Sequence, residues 1–148
     1  MSEEKFLKKI LVPTDGSDPS MRAAEFAVNL AKHFESEIVA IYVIDRVILE
    51  EVSKVHERHE LEEEIKRKAE RCLNYIVKLA EKKGLKARSI LVEGQPHDQI
   101  VRHAESLEAD IIIMGSRGRR GMNRIPVSYT HLRAHETRHD LVCRLLLE

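Results

Sequence analysis

The chain of 148 residues has no tryptophan and only three phenylalanines and three tyrosines. Cysteine is almost as scarce: Cys72 and Cys143 stand far apart, outside any metal-ligand spacing. Such usage excludes a disulfide-stapled secreted scaffold and a zinc ribbon, and it points to a reducing, cytoplasmic setting. No charge of one sign dominates, with 25 Lys+Arg against 25 Asp+Glu. That balance argues against a general nucleic-acid binder, which carries a basic stripe, and against an acidic disordered chain. No apolar run approaches the length of about 18 residues that a membrane span needs, and residues 1–9 lack the apolar core of a signal peptide. What remains is an aliphatic-rich chain of one domain's length, long enough to bury a real core.

Strand and helix signals alternate along it. Ile10-Leu11-Val12, stopped by Pro13, reads as a buried strand, and Thr14-Asp15-Gly16-Ser17 as a turn. Ser17 or Ser20 can cap a helix that carries Ala23, Ala24, Ala27, Leu30, Ala31 and Phe34 at helical spacing, with Pro19 tolerated in its first turn. Ile38 to Ile44 is a second apolar, β-branched strand. The charged stretch from about Val52 to Lys83 holds an amphipathic stripe through Leu61, Ile65, Ala69, Cys72, Leu73, Ile76, Leu79 and Ala80. Its first part, through His56 and His59, reads as loop or frayed helix, and Gly84 as its C-cap. Ala87 to Val92 is a third strand. Gly94-Gln95-Pro96-His97 opens a third helix with Ile100, Val101, Ala104 and Leu107 inward, and Asp110 to Met114 is a fourth strand.

This β-α-β-α-β-α-β order, with strands apolar on both faces, predicts an α/β fold: a doubly wound parallel sheet covered by helices on each side. Ligands in such sheets sit outside the carboxyl ends of the strands. The candidate loops are therefore Pro13–Ser17, the segment from Asp45 onward, Glu93–His97 and Gly115–Gly121. The last is the most telling. An apolar strand empties into Gly115-Ser116-Arg117-Gly118, where glycines let backbone N–H groups approach an anion and the serine adds a donor. A plain β–α turn would use the same glycines. Arg117, Arg119 and Arg120 add positive charge suited to a triphosphate, and Gly121 adds flexibility. Asp15 can accept from ribose hydroxyls or simply form the turn that caps the helix. His97 lies at a helix start on the site side, whereas His56, His59 and His103 read as surface or boundary residues and Cys72 as a small core residue.

From Val127 the chain changes character. Val127 to Glu148 has no glycine, three histidines within nine residues and no βαβ continuation. The segments Val127–Thr137 and Asp140–Glu148 resemble a translated sequencing-library adapter, with Arg138-His139 where an index would lie. The expected division is thus a truncated domain over residues 1–126 and a foreign tail over 127–148. His131, His135 and His139 are spaced i, i+4, i+8 and would line one face of a helix, but in a foreign tail that spacing is accidental, and no metal site is assigned. Deleting the tail removes three residues of each sign, so the charge argument stands.

Four strand ends carry a resemblance to the universal stress protein family over about residues 6–125. They are Lys9-Ile10-Leu11-Val12-Pro13-Thr14-Asp15-Gly16-Ser17, Ile41-Tyr42-Val43-Ile44-Asp45, Glu93-Gly94-Gln95-Pro96-His97, and Asp110-Ile111-Ile112-Ile113-Met114-Gly115-Ser116-Arg117-Gly118. The resemblance implies a Rossmann-like sheet of order 3-2-1-4-5, a homodimer, and two branches, of which one binds ATP. It further implies ATP as the ligand, alone or with Mg2+. Pro13 and Thr14 would flank the nucleoside, Asp15 would hold the ribose and the backbone of Val43 would meet adenine. Met114, Gly115, Ser116, Arg117 and Gly118 would form the phosphate wall. The ATP-binding pattern is Gly-x2-Gly-x9-Gly-Ser/Thr, and nine residues on from Gly118 the chain has Ser128 instead of glycine. The fifth strand and last helix are missing with it.

No Gly-x4-Gly-Lys-Ser/Thr loop and no Ser-Gly-Gly-x-Asp-Ser loop occurs, so neither a P-loop NTPase nor an adenylating pyrophosphatase is indicated. No catalytic constellation is assigned. The leading expectation is a nucleotide-binding stress-response module whose ligand biases conformation or dimer contacts. The alternatives are a dimeric interaction or chaperone-like protein without nucleotide, and a slow ATPase. Nucleic acid and membrane are not expected partners. The genomic DNA downstream of codon 125 is expected to continue with Gly-Ser and a Val-rich apolar strand; a genomic frame reading Val127 to Glu148 as they stand would contradict the adapter reading.

Overall fold

The computed structural model describes residues 7–54 and 58–115. His56, the loop residues Ser116 to Gly121 and the tail lie outside the described residues, as do the expectations about a fifth strand and a last helix. The elements run β1 (Lys9–Pro13), α1 (Asp18–Phe34), β2 (Glu37–Asp45), α2 (Arg46–Val52), α3 (Arg58–Lys82), β3 (Ala87–Gly94), α4 (Pro96–Leu107) and β4 (Ile111–Ile112). The strands form one parallel sheet in the order β3-β2-β1-β4. That is the expected α/β topology over its first four strands.

The sheet is covered on both faces, and alternate residues of each strand divide between them. Ile10, Val12, Ile38, Ala40, Tyr42 and Ile44 pack with Ala23, Ala24, Ala27 and Ala31 of α1 and with Ala69, Leu73, Ile76 and Ala80 of α3. Leu11, Val39, Ile41 and Ile112 pack with Ile100 and Ala104 of α4. The crossovers through α1 and α3 lead outward from β1 to β2 and β3. The chain then returns through α4 on the opposite face to β4 on the other side of β1. The direction of winding therefore reverses between β1 and β4. The four fully buried alanines of α1 let that helix lie close on the sheet, which bulkier residues would prevent.

Local chemistry accounts for the element ends. The Ser17 hydroxyl caps α1 by accepting from Ser20 N–H at 3.3 Å, which settles the choice between Ser17 and Ser20. Gly84, at φ +79°, closes α3, with Leu85 N–H donating to Ala80 C=O at 3.1 Å. Two boundaries differ from the sequence reading. The segment after Asp45 is a helix, α2, because the Asp45 carboxylate accepts from Val47 N–H at 2.9 Å and serves as its N-cap. The strand expected over Asp110 to Met114 pairs with β1 only at Ile111 and Ile112. Asp110 is instead a clamp, since its Oδ2 accepts from the backbone N–H groups of Lys8 at 2.8 Å and Lys9 at 3.0 Å. Those bonds tie the start of β1 to the start of β4.

Ile76 is fully buried between α3 and the sheet. Ile76→Ala is expected to lower unfolding free energy by about 2–5 kcal/mol, measured by urea titration with circular dichroism, through lost transfer energy and an unfilled cavity.

Candidate functional site

Strand lengths create the site. β1 ends at Pro13, opposite Ile41, whereas β2 continues with β3 as far as Asp45 opposite Gly94. Residues 42–45 of β2 therefore overhang the end of β1. Along β2 the odd-numbered residues face β1, since Glu37 N–H donates to Lys8 C=O and Ile41 C=O accepts from Thr14 N–H at 2.9 Å. Even-numbered residues face β3, as shown by Ile38 N–H donating to Lys86 C=O. A residue in a parallel ladder aims both its backbone groups at the same neighbour. The N–H and C=O of Val43 thus point past the end of β1, where the β1–β2 register offers no partner.

A cavity of ≈ 170 Å³ occupies this notch. Its floor and wall come from Pro13, Thr14 and Asp15 at the end of β1 and from Ile41 to Asp45 of β2. Ile48 of α2, Ile65 and Lys68 of α3, and Pro96 and Ile100 of α4 complete it. Five isoleucines stand among its lining residues, so the space is largely apolar. Asp15, Asp45 and Lys68 are its charged lining residues.

The β1–α1 turn is held by a chain of hydroxyls. Ser20 Oγ donates to Ser17 C=O at 2.9 Å, which leaves its oxygen to accept from Thr14 Oγ1, also at 2.9 Å. Thr14 Oγ1 in turn accepts from Gly16 N–H at 3.2 Å. Thr14 is only 3% exposed, so its hydroxyl serves the turn while the residue borders the cavity. Asp15 forms the turn that the sequence offered and also borders the cavity. Its Oδ1 accepts from Ser17 N–H at 2.9 Å.

Gly115 lies against the start of α1. A Cβ placed on it would come within 2.7 Å of the Pro19 carbonyl carbon and 2.9 Å of Ser20 N. Only glycine lets the chain leave β4 in contact with this helix backbone. Met114, 3% exposed, is buried with Leu11, Ile41 and Ile100 and is not among the cavity's lining residues. The fold thus gathers Pro13, Thr14, Asp15 and Val43 at one cavity and places Gly115 beside the same turn. Ser116, Arg117 and Gly118 are outside the described residues. His97 is exposed, His59 is exposed, and His103 Nδ1 pairs with Gln99 C=O at 2.9 Å within α4.

Sequence reasoning placed the segment from Asp45 onward at a candidate loop but did not name Ile48, Ile65 or Lys68 as lining residues. Asp45 had a usable signal, as an acidic residue at the end of a strand that can cap a following helix. The others belong to helices whose inward face is legible but whose reach over a strand tip is not.

The universal stress protein family model matches residues 7–130. Universal stress protein MJ0531 of Methanocaldococcus jannaschii is 39% identical over 122 residues, covering 82% of this chain and 72% of that protein. Universal stress protein MJ0577 of the same organism is 35% identical over 136 residues, covering 80% of this chain and 82% of that protein. The solved structure of MJ0577 superposes with a TM-score of 0.69 over 96% of this chain and 94% of its own. A universal stress protein solved in complex with cAMP, 19% identical, shares the fold with a TM-score of 0.59 over 96% of this chain and 97% of its own.

Gly115→Ala is expected to force β4 and α1 apart and to cost about 1–3 kcal/mol in chemical denaturation, as overpacking does. Unchanged stability would show that the two backbones do not touch.

Proposed function

The chain belongs to the universal stress protein family, and on that premise we propose that it is an adenine-nucleotide-binding regulatory module with ATP as its ligand. The observation that carries this reading is the overhang of β2. The backbone N–H and C=O of Val43 are aimed into an apolar notch of ≈ 170 Å³, beyond the last β1 residue. A purine edge offers a ring-nitrogen acceptor beside an amino donor. Adjacent N–H and C=O groups complement that pattern without any polar side chain. The isoleucines of the notch then cover the faces of the base, and Asp15, in the turn just after β1, accepts from the ribose hydroxyls.

The phosphates run toward the chain leaving β4. Gly115 holds that chain on the α1 backbone, and Ser116, Arg117 and Gly118 supply donors and charge to the anion. ATP carries Mg2+ or not as conditions dictate, since the recognition described uses the base, sugar and phosphates. The bound nucleotide acts by favouring one conformation or one set of dimer contacts over another, in a cytoplasmic homodimer. A relative of the same fold solved with cAMP adds support for an adenine ligand in this architecture. The family match stops at residue 130, close to where the adapter resemblance begins, and we read residues 127–148 as foreign to the domain. The opposite phosphate wall, Gly-Ser in the family pattern, belongs to the natural continuation.

Equilibrium binding of labelled ATP tests the reading on two chains, this one and one that carries the genomic continuation after codon 125. Saturable binding is expected in the second and weak or absent binding in the first. No saturable binding in the second would overturn the nucleotide reading. Asp15→Asn keeps an oxygen for the Ser17 N–H, so the turn survives while the charge is lost. It is expected to weaken ATP and adenosine alike by about tenfold, the worth of one hydrogen bond to a charged group, with no fall in melting temperature.

A further inference from the structure

We propose that Lys68 determines specificity at this site by making it select phosphate-bearing nucleotides over uncharged nucleosides. The inference rests on the nucleotide reading above and assigns a role to a residue outside the strand-end motifs.

The need for such a residue follows from the charges around the notch. Asp15 and Asp45 both line it, and two carboxylates repel an anionic ligand. Lys68 is the cationic lining residue among the described residues. It enters no ion pair among them. Without Lys68 the described walls would favour a neutral or cationic guest.

The position of Lys68 is fixed by its helix and by a glycine. Ala69, Leu73 and Ile76 of α3 are buried against the sheet, which sets the rotation of the helix. Ile65, one turn earlier, lines the same cavity. Gly16, at φ +84°, leaves room above its α-carbon, which Cys72 Sγ, 3.2 Å from where a Cβ would stand, shares with the stem of the exposed Lys68. Lys68 Cε lies 3.3 Å and Nζ 3.8 Å from where a Gly16 Cβ would stand. The ammonium is therefore held over the Asp15–Gly16 turn, on the route from the ribose-binding carboxylate to the start of α1. An ammonium on a flexible stem neutralises a phosphate oxygen as a point charge and can follow it through small shifts. It gives nothing to the base or to a neutral sugar.

Lys68→Met removes the charge and keeps the stem over Gly16, and Lys68→Arg keeps the charge. The dissociation constants of ATP, AMP and adenosine are measured by calorimetry for wild type and both variants, in the chain carrying the genomic continuation. Lys68→Met is expected to weaken ATP by about tenfold and to leave adenosine unchanged. It should also flatten the salt dependence of ATP binding. Lys68→Arg is expected to retain the preference for ATP over adenosine. If Lys68→Met weakens ATP and adenosine in parallel, Lys68 is only packing, and if it changes neither, Lys68 is only surface; each result overturns the proposal while the nucleotide reading stands. If wild type binds neither ATP nor AMP, the nucleotide reading fails and the role of Lys68 falls with it.

Discussion

The unequal length of two neighbouring parallel strands is the constraint on which the rest depends. β1 has five residues and β2 has nine. Thr14 N–H makes the last bond from this side, to Ile41 C=O, and the chain then turns away toward α1, so β2 runs on alone along that edge. Backbone groups at a strand edge need partners, and leaving them aimed into an apolar space is costly unless water or a ligand meets them. The notch over Val43 is the result. Everything else positions it. Helices α1 and α3 on one face and α4 on the other hold β1 and β2 rigid. Helix α2 begins at the tip of β2 and contributes Ile48 to the cavity.

The two ends of the sheet divide the labour. At the amino ends of the strands, Asp110 clamps Lys8 and Lys9, and Ser36 Oγ donates to Leu7 C=O at 2.5 Å. These bonds close the fold and fix register. At the carboxyl ends the polar groups are spent on a turn, with Thr14, Ser17 and Ser20 bonded to one another and Gly115 seated on the Pro19–Ser20 backbone. A rigid turn that holds Asp15 at a cavity is what preorganised recognition requires.

Much of this was legible in the sequence because it depends on local pattern. Ile10 to Pro13 and Ile38 to Ile44 are apolar, β-branched runs that only a strand buried on both faces explains. The alanines of α1 and the stripe through Ile76 declare their inward faces, and Gly84 ends its helix as its chemistry demands. Alternation gave the α/β class, and the order of the first four strands is the one that the family resemblance implies. Less legible were features that depend on where elements meet. Val47-Ile48-Leu49 looks like loop or strand until Asp45 caps it as a helix. Ile111 to Met114 is apolar enough for a long strand, yet its ladder ends at Leu11–Ile112, and the next β1 residue on that side is Pro13, which has no N–H to offer. Lys68 reads as one more exposed lysine on a charged helix until Gly16 is placed beneath it. Glycine at 115 was expected from phosphate approach; the cause that the structure shows is the helix backbone behind it.

The central claim is that the edge of β2 beyond β1 is the ligand-recognising surface. Backbone amide chemical shifts, followed residue by residue as ATP is added to the chain with its genomic continuation, test it most directly. The account predicts that Val43 moves most, with Asp15, Gly16 and Gly115, while Glu35 to Glu37 and Lys83 to Lys86 at the opposite end stay in place. Saturable changes at that opposite end, with Val43 unmoved, would contradict it.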